Sequence, residues 1–280
     1  MQNTLREPIR ISRSTSTITG NQRFNIRRLT PLLTLFGVLA LWQAIYTFQI
    51  VDSFLIPAPV DVAQTFVAQI EDGSLLTHAW TTFYAAVLGL LIGVFVGATL
   101  GYMIARSSLL EQLLSPLIVA FQSTPVVAYA PLLVLWFGTG VESKIVTCAL
   151  IVFFPMLMNT VVGIRNVPSE LRDLMRVSRA SRWQVFTKLE LPAAMPVLMT
   201  GLKTSATLSV IGAVVGEFIA ARAGLGFLIK VASSSFNTPL VFVAVITLAV
   251  VASTLYVTVS YLESHLLAWQ KRGKNSDSIF

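Results

Sequence analysis

The side chains that could carry chemistry in this chain are few, and their spacing excludes most of it. The two histidines, His78 and His265, stand far apart, and Cys148 is the single cysteine, set in an apolar stretch. One cysteine allows neither an internal disulfide nor a cysteine cluster for metal. No H-E-x-x-H pair and no serine-nucleophile motif occurs, so the sequence predicts no metal site and no catalytic residue. The phosphate loop G-x-x-x-x-G-K-[ST] is missing too: Gly273-Lys274 is followed by Asn275, and Ala268 stands where the first glycine belongs. The chain does not bind ATP by that route, and the reading is a non-enzyme without cofactor. Two ionisable groups lie inside an apolar segment, residues 193–221: Lys203 and Glu217. A charge at membrane depth is costly and faces a cavity or a partner. Glu217 is thus a candidate to line a vestibule or gate or to meet an external partner; the plainer alternative pairs it with Arg222. Lys203 reads as structural, its amine snorkelling to the inner interface.

The densest charge lies in residues 165–192. Pro168 and Glu170 suit the first turn of a helix. Leu171, Leu174, Met175 and Ser178 then share one face, and the helix is expected to end near Arg179. Ser181 and Gln184 have the spacing of a capping box, which starts a second helix with an apolar stripe of Trp183, Phe186 and Leu189 or Leu191. Pro192 and Pro196 mark the return to the apolar region. Two short helices joined by a sharp turn could dock in the groove of a partner or lie on lipid headgroups; the residues leave both open.

The elements that must position these groups follow from charge and hydropathy. Hydrophobic residues make up 55% of the 280 and charged ones 12%, with a mean hydropathy of +0.75. That is roughly half the charge of an ordinary soluble domain, about 25%. The net charge of +7 needs a folded polar surface to bind nucleic acid, and there is too little of it. Uncharged runs cover residues 29–51, 79–105, 112–141, 145–164 and 231–262; with 193–221 they predict six membrane-spanning helices of about 20 residues or more. The third and sixth runs are too long for one straight span, so their ends are expected in loops or re-entrant turns. The first run is longer than a signal-peptide core of roughly 7–15 residues and is read as a retained anchor. Sixteen of the 20 basic residues fall in residues 1–28, at Arg106, in 165–192 and in the C-terminal tail, all on one side of six spans. By the positive-inside rule both termini are cytoplasmic, and residues 1–28 form a basic arm.

Gly89, Gly93, Gly97 and Gly101 recur every four residues and line one face of the second span. Such a face lets a neighbouring helix come close; Gly212 and Gly216 repeat the device on the fifth. Pro116, Pro125 and Pro131, then Phe137-Gly138-Thr139-Gly140, interrupt the third run. Broken backbone at membrane depth belongs inside protein or along a wet cavity, which makes Pro125 and Pro131 candidates for a translocation path; a simple kink at a helix contact is the alternative.

The 165–192 loop resembles the "EAA" coupling motif of ABC-importer permeases: an acidic residue, two small residues, three variable ones, a glycine and a later Leu-Pro pair. Asp173 takes the acidic position, Leu191-Pro192 closes the motif, and Ala180-Ser181-Arg182-Trp183 is similar to the usual continuation. The small pair is replaced by Leu174-Met175, and the glycine, which permits a left-handed turn, by Arg179. Pro57-Ala58-Pro59, residues 131–140, Phe154-Pro155 with Asn159-Thr160, Gly216-Glu217 and Gly224-Leu225-Gly226 are similar to the sulfonate, taurine and nitrate branch. The resemblance covers roughly residues 50–265.

It implies an all-α polytopic protein with the MetI-like importer-permease fold, in a bacterial inner membrane. Its parts would be the arm 1–28, a first span 29–51, an external segment 52–78 with a short helix, a permease core 79–263 and a tail 264–280. It implies cytoplasmic ABC ATPases as partners, gripping Asp173, Leu174, Met175, Arg179, Ala180, Ser181, Trp183 and Pro192. It also implies an external solute-binding protein, a permease homodimer and surrounding lipid, with no nucleic acid. Arg179 and the Leu-Met-Arg run 174–176 look most like permeases for vitamin-type heterocycles, riboflavin ahead of the thiamine pyrimidine precursor, with sulfonates next. The rival of another class is a stand-alone secondary transporter, which would need ionisable groups at the midplane that are nearly absent.

Overall fold

The computed structural model describes residues 26–268. Its elements are α-helices α1 (Ile26–Thr47), α2 (Pro59–Glu71), α3 (Ser74–Arg106), α4 (Ser108–Ser123), α5 (Ala130–Phe137), α6 (Val141–Arg165), α7 (Ser169–Val177), α8 (Arg182–Val185), α9 (Leu191–Ala220), α10 (Leu225–Ser234) and α11 (Thr238–Leu266). Among the described residues there is no strand. Residues 1–25 and 269–280, which hold most of the expected basic arm and tail, lie outside this description.

Among the described residues, four stretches are long and apolar enough to cross a membrane: α3, α6, the continuous rod Arg182–Ile219 and α11. The third and sixth uncharged runs are divided, for identifiable reasons. The third run is divided into the 16-residue α4, a 3₁₀ turn at Val126–Ala128 and the 8-residue α5. Proline lacks the N–H that continues a helix, and Pro125 and Pro131 sit at the start of the turn and of α5 respectively. The sixth run begins inside α10 and breaks at Phe236 before α11, as its excess length required.

The expected second short helix of the 165–192 loop is not a separate element. After one α-turn, α8, the chain passes through a π-helical segment, Phe186–Glu190, and runs on as α9 without a break. Pro192 is the physical reason: it offers no N–H to the carbonyl four residues earlier, and the ladder widens, Leu191 N–H bonding the Phe186 carbonyl.

The centre of the bundle is α6, held between α3 and α9. Small residues make this possible. A Cβ at Gly93, Gly97 or Gly101 would stand 2.6–2.7 Å from the carbonyl oxygens of Ala149, Phe153 and Leu157 on α6, and one at Gly89 would overlap Cys148. On the opposite side a Cβ at Gly212 would lie 2.7 Å from Cys148 Cα. The glycine faces of α3 and α9 thus grip the same helix within one chain. Ala85, Leu90, Val152, Ala206 and Val210 fill the core between them. Outside this core, α1 meets the rest near its end, where Trp42 stacks on Phe242 and donates Nε1–H to the Pro57 carbonyl at 3.1 Å.

Candidate functional site

The coupling-type loop leaves the bundle at Arg165. Val167 is buried and Pro168 is the N-cap of α7. Of α7 itself no residue is buried. Leu171, Leu174 and Val177 are 42%, 60% and 81% exposed, and Trp183 on α8 is 70% exposed. Exposed leucines on the long helices can face lipid; those of α7 lie on a short, charge-rich helix beyond the spans, where an apolar patch marks a contact surface. Asp173 pairs with Arg176 one turn on, at 3.3 Å.

The turn after α7 keeps the geometry that a glycine would give it. Arg179 has φ +51°, its N–H bonds the Arg176 carbonyl, and the Ala180 N–H bonds the Met175 carbonyl, both at 3.0 Å. This is a Schellman cap with arginine in the left-handed position, at a cost of about 1 kcal/mol. Ser181 then caps α8: its Oγ accepts from the Gln184 N–H at 3.2 Å, and the Gln184 side chain accepts from the Ser181 N–H at 2.8 Å. The reciprocal capping box stands as the spacing predicted.

Behind this surface lies a group that the sequence reading passed over. Glu190 is wholly buried at the end of the π-helical segment, just before α9. It accepts from the Tyr102 hydroxyl at 3.0 Å and from Arg106 Nη1 at 3.1 Å, both on α3, and pairs with Arg172 Nε on α7 at 3.5 Å. Arg172 also donates Nη2–H to the Ile164 carbonyl at 2.6 Å. A buried charge left without a partner costs about 3–5 kcal/mol, and here two arginines and a tyrosine hydroxyl share the carboxylate. The available signal was an acidic residue at the return of a basic loop to the membrane, next to Leu191-Pro192.

The other end of α9 carries a second buried carboxylate. Glu217 accepts from Thr82 Oγ1 at 2.8 Å and from the Gly226 N–H at 2.7 Å, and it is fully buried. The Leu225 N–H donates to Thr82 Oγ1 at 2.8 Å, the Gly224 N–H to His78 Nδ1 at 3.0 Å, and Lys144 Nζ to the Ala223 carbonyl at 2.6 Å. Glu217 therefore neither pairs with Arg222 nor reaches an open surface; it ties the 221–226 turn to α3. Gly224, at φ +126°, has no room for a Cβ, which would fall on the Glu217 carboxylate. His78 and Lys144 are parts of this cluster too. Lys203 pairs with Glu263 near the C-terminal end of α11.

Pro125 and Pro131 stand where the third run is interrupted, beside α6. Between α4 and α6 a cleft of about 390 Å³ is lined by Ser115, Gln122, Met158 and Val162. The bidentate Arg165–Glu111 pair, at 2.6 and 2.8 Å, also lines it. No group of three or more His, Cys, Asp or Glu side chains is arranged to hold a metal among the described residues.

A long-helix bundle with a protruding amphipathic loop and no ATP-binding motif describes the membrane subunit of a binding-protein-dependent importer. Residues 89–268 match the family of binding-protein-dependent transport system inner membrane components. The chain belongs to this family and is a permease subunit of an ABC importer. It is 42% identical over 266 residues to the riboflavin transport system permease protein of Chloroflexus aurantiacus, covering 95% of this chain and 99% of that one. It is 30% identical to the formylaminopyrimidine transport permease protein of Halalkalibacterium halodurans, over 87% of this chain and 97% of the relative. Among solved structures, inward-facing conformations of a methionine ABC transporter align with a TM-score of 0.63 and 16% identity, over 71% of this chain and 98% of that one. That likeness defines the MetI-like fold.

Proposed function

We propose that this permease imports riboflavin or a closely related heterocycle, handed to it by an external solute-binding protein. What supports the substrate is the 42% identity carried through nearly the full length of both chains. Similarity that also runs to a formylaminopyrimidine permease favours a second reading, the thiamine pyrimidine precursor, while the loop variant at 174–179 favours a vitamin-type heterocycle over sulfonates.

In this reading two copies form a homodimer in a bacterial inner membrane, each with six passages and cytoplasmic termini, and cytoplasmic ABC ATPases dock on α7 and α8. Leu174, Val177 and Trp183 supply the apolar contact; Asp173, Met175, Arg179, Ala180 and Ser181 shape the turn, and Pro192 sets the start of α9. Closure of the ATPases on ATP displaces the loops and biases the bundle between two states, an effect bounded by the difference in ATPase affinity for them. Pro125, Pro131 and the α4–α6 cleft are the part of the bundle proposed to border the solute path.

The test is calorimetry of the companion binding protein with riboflavin, formylaminopyrimidine, taurine and an alkanesulfonate, followed by ATP-dependent uptake in proteoliposomes. Tight binding and uptake of riboflavin alone is the expected outcome. Binding of a sulfonate with none of riboflavin overturns the substrate.

A further inference from the structure

The helix that presents the contact surface is poorly packed against the bundle it must move. α7 buries none of its residues, and short turns at 166–168 and 178–181 bound it. A push on α7 is therefore not transmitted by interlocking side chains, the ordinary way in which packed elements transmit strain. Polar ties remain, and they converge. Arg172, in the middle of α7, reaches the Glu190 carboxylate at the inner end of α9 and the Ile164 carbonyl at the inner end of α6. Glu190 in turn holds Tyr102 and Arg106 of α3. The Glu190 carboxylate thus joins the loop helix to α3 and α9, and Arg172 adds the tie to α6.

We propose that the Glu190–Arg172 ion pair is the joint through which displacement of α7 is handed to α3 and α9, which makes Glu190 a positioning residue for coupling. Its placement suits the task. The carboxylate has no exposure, so the attraction is little screened, whereas its arginine partners are 31% and 42% exposed at the side chain and can swing. Arg172 Nε lies 3.5 Å from Glu190 Oε1 and makes no hydrogen bond. Charge attraction at that length falls off gradually with distance, so the contact persists over a range of α7 positions. Glu190 also stands in the π segment, where the helical ladder is already loosened. The joint can thus turn at the base of α9 while the rest of the rod stays intact.

This inference rests on the reading that the ATPase docks on α7, and the experiment separates the two. The permease carrying Glu190→Gln is reconstituted with its ATPase and binding protein, and ATPase retention, ATP hydrolysis and solute uptake are measured on the same proteoliposomes. The expected result is wild-type ATPase retention with at least a tenfold fall in solute moved per ATP, and partial recovery of that ratio in Glu190→Asp. An unchanged ratio overturns the joint, whether uptake and hydrolysis stay high or fall together. Where Glu190→Gln fails to accumulate in the membrane, Arg172→Gln carries the same measurements and the same two outcomes. A parallel Leu174→Glu variant that keeps full ATPase retention overturns the docking reading itself and the joint with it.

Discussion

The two buried glutamates of the α9 rod, Glu190 and Glu217, are 27 positions apart in the sequence, roughly 40 Å of helix at 1.5 Å per residue. They sit at opposite ends of one rod and are built differently. Glu217 is held by a backbone N–H and by a threonine hydroxyl that itself accepts a backbone N–H, against two glycines. Glu190 is held by the ends of three long side chains, Tyr102, Arg106 and Arg172. The outer clamp has no slack, since moving it moves the main chain. The inner clamp can follow a moving partner by changing rotamers. A bundle that is fixed at one end and adjustable at the end that carries α7 can rock without coming apart.

Breaking the fixed end gives the largest expected effect. Gly224→Ala puts a methyl on the Glu217 carboxylate at a backbone angle reserved for glycine, and it is expected to cost about 3 kcal/mol or more. The readout is loss of folded protein in fluorescence-detected size exclusion. Gly97→Ala, between the clamps, forces α3 off the Phe153 carbonyl and is expected to lower stability by about 1–3 kcal/mol. Gly37→Ala, whose Cβ meets nothing within 4 Å, is the control and loses none. Glu217→Gln turns one of the two accepting oxygens into a donor, so the Thr82 and Gly226 contacts cannot both be kept as they are, for about 1–3 kcal/mol. Its midpoint of thermal unfolding falls, while solute moved per ATP stays at the wild-type value, in contrast to Glu190→Gln. The smallest effect is a gain. Arg179→Gly relieves the left-handed arginine and stabilises the α7 turn by about 1 kcal/mol, read as a higher melting midpoint with coupling retained.

The inner clamp was the less legible of the two in the sequence. The α7–α8 boundary could be read because capping chemistry is local: Ser181 and Gln184 declare it within three residues. The glycine ladder was equally plain, although spacing alone did not say that its partner is α6 of the same chain. Glu190 was missed because its meaning depends on Tyr102 and Arg106, more than 80 residues earlier, which arrive only when α3 packs on α9. Glu217 was noticed as a charge in an apolar run, read either as lining a vestibule or gate or as paired with Arg222. The nearer charge in sequence lost to Thr82 and the turn at Gly224, which tertiary packing brings closer. The joining of α8 to α9 was hidden by Pro192 and Pro196, which signal a break; the π segment lets the helix pass the first of them.

The docking of an ATPase on α7 is the claim on which the account turns. The direct measurement is co-purification of the ATPase with the permease carrying Leu174→Glu and Val177→Glu together, in detergent, at equal permease recovery. Both residues are exposed and touch no core, so the permease itself is expected to fold as before. The account predicts that ATPase recovery falls at least tenfold and that ATP-driven uptake disappears with it. Wild-type recovery of the ATPase on this double variant would contradict it.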